Sequence, residues 1–213
     1  MNLLLVAATR PEIQPFLSAF PAESDSDEKI SIGQHSVDVL ITGAGMVAAA
    51  FALGRHLAQN TYDLAINLGI AGSFDFGLSL GDVCLVQEDT FAELGAEDGD
   101  DFLPIDQLEL GTGTQIHHPN PDFAISELKK VNAITVNKVH GHELSIAKAI
   151  ARFNPQIESM EGAAFFYACN QSDIPCIQMR AISNYVERRA REKWDIGLAI
   201  KNLNYTLINL LER

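Results

Sequence analysis

Short apolar runs without polar alternation recur along the chain: 3–8 (LLLVAA), 37–43 (VDVLITG), 64–72 (LAINLGIAG), the start of 81–94 (GDVCLV), 133–139 (AITVNKV) and 175–183 (PCIQMRAIS). A strand with one face in water alternates polar and apolar residues. A run that stays apolar has both faces covered, as in a parallel sheet packed between helices. Helical segments fall between these runs. One opens near Pro11, where Thr9 can cap it and proline is tolerated in the first turn. Others are 46–60, rich in Ala and Leu, then 143–153, 161–171 and a long amphipathic closing segment, 191–212. A short strand, 157–160 (IESM), precedes the 161–171 helix. The alternation predicts an α/β fold: a single domain over residues 1–213, with a central mixed, mostly parallel sheet flanked by helices on both faces. Residues 21–29 read as an acidic loop, 95–101 as a mobile acidic loop with turn chemistry, and 102–130 show no clear period.

A chain of 213 residues, 47% hydrophobic, is long enough to bury one sizeable core. Its net charge of −13 argues against a nucleic-acid binder, which would carry a basic face. No stretch reaches the roughly 18 apolar residues of a membrane-spanning helix, so no membrane partner is expected. The start, MNLLLVAATRPE, lacks the basic opening of a signal peptide. Cys84, Cys169 and Cys176 sit in apolar contexts without metal-ligand spacing, as reduced core cysteines of a cytoplasmic protein do. The sequon at Asn204 lies in a helical pattern and reads as a chance match.

In sheets of this kind ligands bind beyond the carboxyl ends of the strands, so polar residues there are the candidates. GAGMVA (43–48) fits a dinucleotide-binding turn, but the next strand ends in NLGI without the acidic residue that would hold a ribose. A turn that approaches some other polar ligand is the better reading. GIAGSF (69–74) is a second glycine turn whose amides could hold a phosphate, yet residues 69–93 contain no Arg or Lys to balance one. His117-His118 and His140-Gly141-His142 lack the supporting ligands of a metal site. They read as loop histidines, with His140 placed to line a pocket. Glu12 and Glu161 stand near strand ends at helix starts, where an acid can simply favour the helix dipole. Asn184 ends the apolar run 175–183 on an uncharged amide, which alone could be a turn former. The cluster ERRAREKW (187–194) is either a solvated helix start or a lid that meets an anionic part of a small ligand.

SMEGAAFFYAC (159–169), MRAISN (179–184), GIAGSFDFGLSLGDVCLV (69–86) and VAATRPEIQPFL (6–17) together resemble the nucleoside phosphorylase/nucleosidase superfamily, and within it the futalosine-hydrolysing branch. The resemblance implies that Glu161 binds ribose hydroxyls, that Met160 packs beneath the sugar, and that Glu12 takes a proton from the attacking water. It places Ile70, Ser183 and His140 among the substrate-binding residues. Asn184 stands where adenine-releasing nucleosidases carry Asp. The same resemblance implies a homo-oligomer, with residues around 91–102 reaching a neighbour's pocket, and no metal or organic cofactor.

The departure at Asn184 has a chemical meaning. A 6-oxopurine presents O6 and N7, both acceptors in the neutral nucleoside. An Asn amide can donate to O6, and its oxygen can accept from N7 once that nitrogen is protonated. An ionised Asp would repel O6. The expected function is therefore hydrolysis of the N-glycosidic bond of a 6-oxopurine nucleoside, and the resemblance implies futalosine as the substrate. The rivals are a phosphorylase, a methylthioadenosine/S-adenosylhomocysteine nucleosidase and a non-catalytic nucleoside-binding module.

Overall fold

The computed structural model describes residues 1–21, 29–123, 125 and 127–212. The acidic loop expected at 21–29 therefore lies almost wholly outside the described residues. The described chain runs β1 (Asn2–Ala7), α1 (Arg10–Ala19), β2 (Ile30–Ile32), β3 (His35–Ile41), α2 (Met46–Leu57), β4 (Leu64–Ser73), β5 (Val83–Phe91), β6 (Gly95–Asp98), β7 (Asp101–Pro104), β8 (Thr114–Ile116), β9 (Lys129–Thr135), α3 (Glu143–Phe153), β10 (Ile157–Ser159), α4 (Gly162–Gln171), β11 (Cys176–Tyr185) and α5 (Ile196–Leu211).

A nine-stranded sheet carries the order β10-β9-β5-β11-β4-β1-β3-β2, with β8 added on β5. Its centre is parallel, from β11 through β4 and β1 to β3, while β5–β11 and β2–β3 are antiparallel. The fold is thus the expected α/β class with a mixed sheet. The three-residue β10 pairs with β9 on one side and with the end of β4 on the other. It thereby closes β9, β5, β11 and β4 into a ring at the carboxyl end of β4.

The apolar runs explain the layering. Along β1, Leu3, Leu5 and Ala7 face one core with Ile13 and Phe16 of α1 and Leu203 and Leu207 of α5. Leu4 and Val6 face the other, with Leu53 of α2 and Phe165 and Phe166 of α4. Each fully buried Leu or Phe contributes roughly 1.5–3 kcal/mol relative to leaving it exposed, so both faces of the strand anchor the sheet. A smaller cluster, Ala92, Ile134, Val136 and Ala149, seats α3.

Several boundaries differ from expectation. Residues 95–101 are no loop: β6 and β7 form a two-stranded hairpin, paired from Gly95↔Pro104 to Asp98↔Asp101. Gly99, at φ 62°, begins its two-residue connection, where a tight hairpin asks for glycine. The acidic composition concealed two strands of four residues. β9 spans Lys129–Thr135 rather than 133–139, which puts 136–142 in the connection to α3. The closing segment is not one helix. A 3₁₀ turn at Arg191–Lys193 is followed by α5, whose start Asp195 caps by accepting from the Leu198 amide at 2.9 Å. β2 and β8, three residues each, carry too little pattern to read from sequence.

Candidate active site

A cavity of about 340 Å³ opens at the carboxyl ends of β1, β4, β10 and β11. Glu12, Ile70, His140, Met160, Glu161, Ser183 and Asn184 all line it, so seven candidates spread over 173 positions of sequence come to one place.

Glu12 is fixed by the start of α1. Its Oε2 accepts from both the amide and the hydroxyl of Thr9 at 2.8 Å, and Oε1 faces the Ile70 amide at 3.4 Å. The carboxylate therefore serves as the acidic half of a capping box while one oxygen remains turned to the cavity wall. α5 holds the backbone at this point. Asn204 donates to the Glu12 carbonyl at 2.8 Å and accepts from the Phe16 amide at 3.1 Å, occupying the place of the helix's own hydrogen bond. The sequon residue is thus buried in a packing contact.

Glu161 precedes α4, and its Oε1 accepts from the Gly45 amide at 2.9 Å. Gly45, at φ 95°, is the cap of α2. The GAGMVA turn, expected to approach a polar ligand, approaches this carboxylate of its own chain, and the α2 dipole favours the charge. Beneath the carboxylates lies Arg180, only 1% exposed. Its Nη1 is 3.9 Å from Glu161 Oε2, Nε donates to Gln178 Oε1 at 2.7 Å, and Nη2 donates to Asn67. A Cβ on Gly69 would stand 1.9 Å from Arg180 Nη1 and 3.2 Å from Glu12 Oε1. The guanidinium therefore reaches Glu161 over a bare backbone position, which Glu12 also borders. Gln178 donates in turn to Asp89, which also accepts from Thr135 at 2.8 Å. Burial pushes the Asp89 carboxyl up to about 6 against the lowering effect of Thr135, Gln178 and Arg180, and the Glu161 charge adds to the rise.

At the other end, β11 slips against β4: Ile182 pairs with Ala71 and Asn184 with Gly72, leaving Ser183 as a bulge. A bulge re-aims the side chains after it, and here it turns the last strand residues to the cavity. The Asn184 NH₂ donates to the Tyr185 carbonyl at 3.1 Å, and its Oδ1 accepts from the Ser183 hydroxyl at 2.8 Å. A carbonyl can only accept, which fixes the orientation of the amide. One N–H and one lone pair remain for a ligand. His140 lines the same cavity, its Nδ1 2.6 Å from Glu158 Oε2. At the mouth, Arg189 lies 4.9 Å over the Trp194 ring, so the basic cluster reaches the rim.

Residues 2–210 match the family model of the phosphorylase superfamily. The chain belongs to that superfamily. It is 30% identical to a futalosine hydrolase of Streptomyces coelicolor over 95% of this chain and 92% of that protein. A futalosine hydrolase of Thermus thermophilus is 31% identical, with 81% and 80% covered. The 5′-methylthioadenosine/S-adenosylhomocysteine nucleosidase of Colwellia psychrerythraea is 28% identical, with 82% and 79% covered. A crystal structure of such a nucleosidase from Colwellia psychrerythraea 34H, in complex with adenine, superposes with a TM-score of 0.80 at 23% identity over 99% of this chain and 94% of that one. It has the same fold.

This member of the phosphorylase superfamily carries site residues that sequence reasoning passed over. Arg180 and Gln178 sit in the apolar run of β11, where polar side chains among β-formers were the available signal, whereas Asp89 lies among other polar residues of β5 and gave none. Glu158 lay unremarked in the short IESM strand. Of the other histidines, His142 caps α3 by accepting from the Leu144 amide at 3.3 Å, and His118 makes a backbone bridge with Cys176.

Proposed function

We propose that the chain hydrolyses the N-glycosidic bond of futalosine, releasing hypoxanthine and dehypoxanthine futalosine, in the alternative menaquinone pathway. The observation that carries this reading is Asn184: an oriented amide with one free donor and one free acceptor, in a cavity where two carboxylates converge. The free N–H suits O6 of hypoxanthine, and the lone pair suits N7–H of the departing base. The futalosine hydrolases among the relatives support the same substrate.

Cleavage leaves positive charge on the sugar and negative charge on the base. Glu161, held by the Gly45 amide and backed by Arg180, is the fixed anion that opposes the cationic sugar while binding its hydroxyls. Met160 packs beneath the ring, and Ile70 closes the wall beside it. Glu12 takes the proton from the attacking water through Oε1, since Oε2 is engaged by Thr9. Water rather than phosphate is the nucleophile. The lining residues include four carboxylates, Glu12, Glu158, Glu161 and Glu187, and among the described residues Arg189 at the rim is the lone Arg or Lys that lines the cavity. A dianionic co-substrate would meet net repulsion there.

The deciding experiment incubates the protein with futalosine, inosine and methylthioadenosine, with and without phosphate, and identifies the base released. Hypoxanthine from futalosine, independent of phosphate, is expected. Adenine as the main product, or strict phosphate dependence, would overturn the reading.

We also propose that the chain works as a homo-oligomer in the cytoplasm. Val47 and Phe51, 77% and 71% exposed on α2, form an apolar face on the helix whose cap holds Glu161, and the three cysteines are free and buried. No helix among the described residues is long and apolar enough to cross a membrane. Light scattering should give a multiple of 23.2 kDa, and Phe51→Glu should reduce it.

A further inference from the structure

The proposed hydrolysis needs a proton that the residues assigned so far do not supply. Hypoxanthine leaves as a poor anion unless N7 is protonated as the bond breaks, and Asn184 has no acidic proton to give. Resting on the purine nucleosidase reading, the geometry points to His140, held by Glu158, as the general acid that delivers this proton.

The pair is built for one orientation. Glu158 is 3% exposed, and both its oxygens are spent on the same residue: Oε2 lies 2.6 Å from His140 Nδ1, and Oε1 accepts the His140 backbone amide at 3.0 Å. A carboxylate facing Nδ1 fixes the proton there, so Nε2 is the nitrogen left to exchange one. A buried carboxylate whose two oxygens both face one histidine can hold the ring in place and offset charge on it, as in other acid–histidine pairs. Phe74 meets the ring edge-on, with centroids 6.0 Å apart.

Its place in the sheet puts the pair on the base side. Gly72 of β4 is flanked by Asn184 of β11 on one side and by Glu158 of β10 on the other. A Cβ at Gly72 would stand 3.2 Å from Asn184 Nδ2 and 3.6 Å from Glu158 Cγ. The amide that receives O6 and the acid that carries His140 are thus neighbours across one bare backbone position, and N7 shares the Hoogsteen edge of the purine with O6. In the step, the C1′–N9 bond breaks and its electron pair passes into the purine. His140 Nε2–H transfers its proton to N7, so neutral hypoxanthine departs. The water oxygen bonds to C1′ and its proton goes to Glu12. Solvent then returns a proton to His140 and accepts one from Glu12. Glu158 touches no reacting atom and is a positioning residue.

The test compares a 6-oxopurine nucleoside that the wild type hydrolyses with its N7-methylated counterpart, whose base is already cationic and leaves without a proton. General acids contribute about 10²–10⁴-fold. His140→Gln should lower kcat/KM for the plain nucleoside at least about 100-fold and change the N7-methylated one by no more than about threefold. Glu158→Gln should show the same split at about tenfold, because the imidazole stays but its orientation loosens. Equal losses on both substrates, or no loss on either, overturn the proposal. Where the wild type does not accept the methylated substrate, His140→Ala with added imidazole decides: recovery of hypoxanthine release supports the proposal, and no recovery overturns it. A wild type that releases hypoxanthine while His140→Gln does so equally well defeats this inference alone; a wild type inactive on every 6-oxopurine nucleoside defeats the functional reading as well.

Discussion

Glu161 is gripped by an amide 116 residues away, and Glu12 faces one 58 residues away; Asn184 is held by its two sequence neighbours, and His140 by an acid 18 residues on. The sugar end of the cavity thus exists only when β1, α2, β4 and α4 are all in register. The base end is built largely from one strand terminus and one short loop. The difference separates two properties. In the proposed reaction, bond cleavage would depend on charges that the whole fold positions, whereas the choice of base would depend on a few side chains near one strand end.

The comparison predicts its own order of damage. At the sugar end, Glu12→Gln should keep the fold and bind nucleoside within about tenfold by calorimetry, roughly 1.4 kcal/mol, while turnover falls about 10³-fold through loss of the base. If binding disappears in a folded variant, Glu12 is a ligand contact and the base lies elsewhere. Glu161→Gln can still accept from Gly45, so circular dichroism should be unchanged; kcat should drop on the order of 10²–10³-fold as the opposing charge is removed. Near-normal turnover would remove Glu161 from the mechanism.

At the base end the expected effect is smaller and is a ratio. Asn184→Asp should move kcat/KM from hypoxanthine toward adenine nucleosides by at least about tenfold, roughly 1.4 kcal/mol. A carboxylate repels O6, yet once protonated it can serve both N6–H and N7. An unchanged ratio means that Asn184 does not read the base.

The smallest effect lies beneath both ends. The Asp89 carboxyl is pushed from 3.8 to about 6 in the folded chain, so between those pH values the folded state holds more protons than the unfolded one. Stability from this group is therefore full below about pH 4 and is lost as pH rises to about 6. Asp89→Asn removes that dependence. Its melting temperature relative to wild type should rise by several degrees from pH 4 to pH 6.5, given about 2–4 °C per kcal/mol at this size. A constant difference would show that Asp89 does not titrate there.

The same contrast explains what the sequence revealed. The β-runs, α3 and the place of Asn184 at a strand end were legible because each is encoded within a dozen residues: apolar continuity, a capped helix, an amide where an apolar run stops. Arg180 was in plain view in MRAISN, but nothing local says that its guanidinium crosses Gly69 to reach Glu161. Asp89 lies in QEDTFAEL, where neighbouring acids make it look like surface, and it is buried where β5 pairs with β8 and β9 and where Gln178 of β11 reaches it. The β6–β7 hairpin was missed for a related reason: strands of four residues, GAED and DFLP, carry no hydrophobic period, and their pairing to each other is what defines them.

Gly69 gives the site a hereditary signature. Every single-base change in a glycine codon that inserts another residue brings a side chain, and even the smallest would fall 1.9 Å from the guanidinium. The nearby strand positions tolerate drift among Val, Ile and Leu, because burial asks only for bulk. A lineage still under selection for the reaction would keep Gly69 invariant while Ile66 and Leu68 wander. The clash falls on a side chain that is 1% exposed, so a substitution at Gly69 would disturb Asn67 and Gln178, the partners of that guanidinium, together with the site.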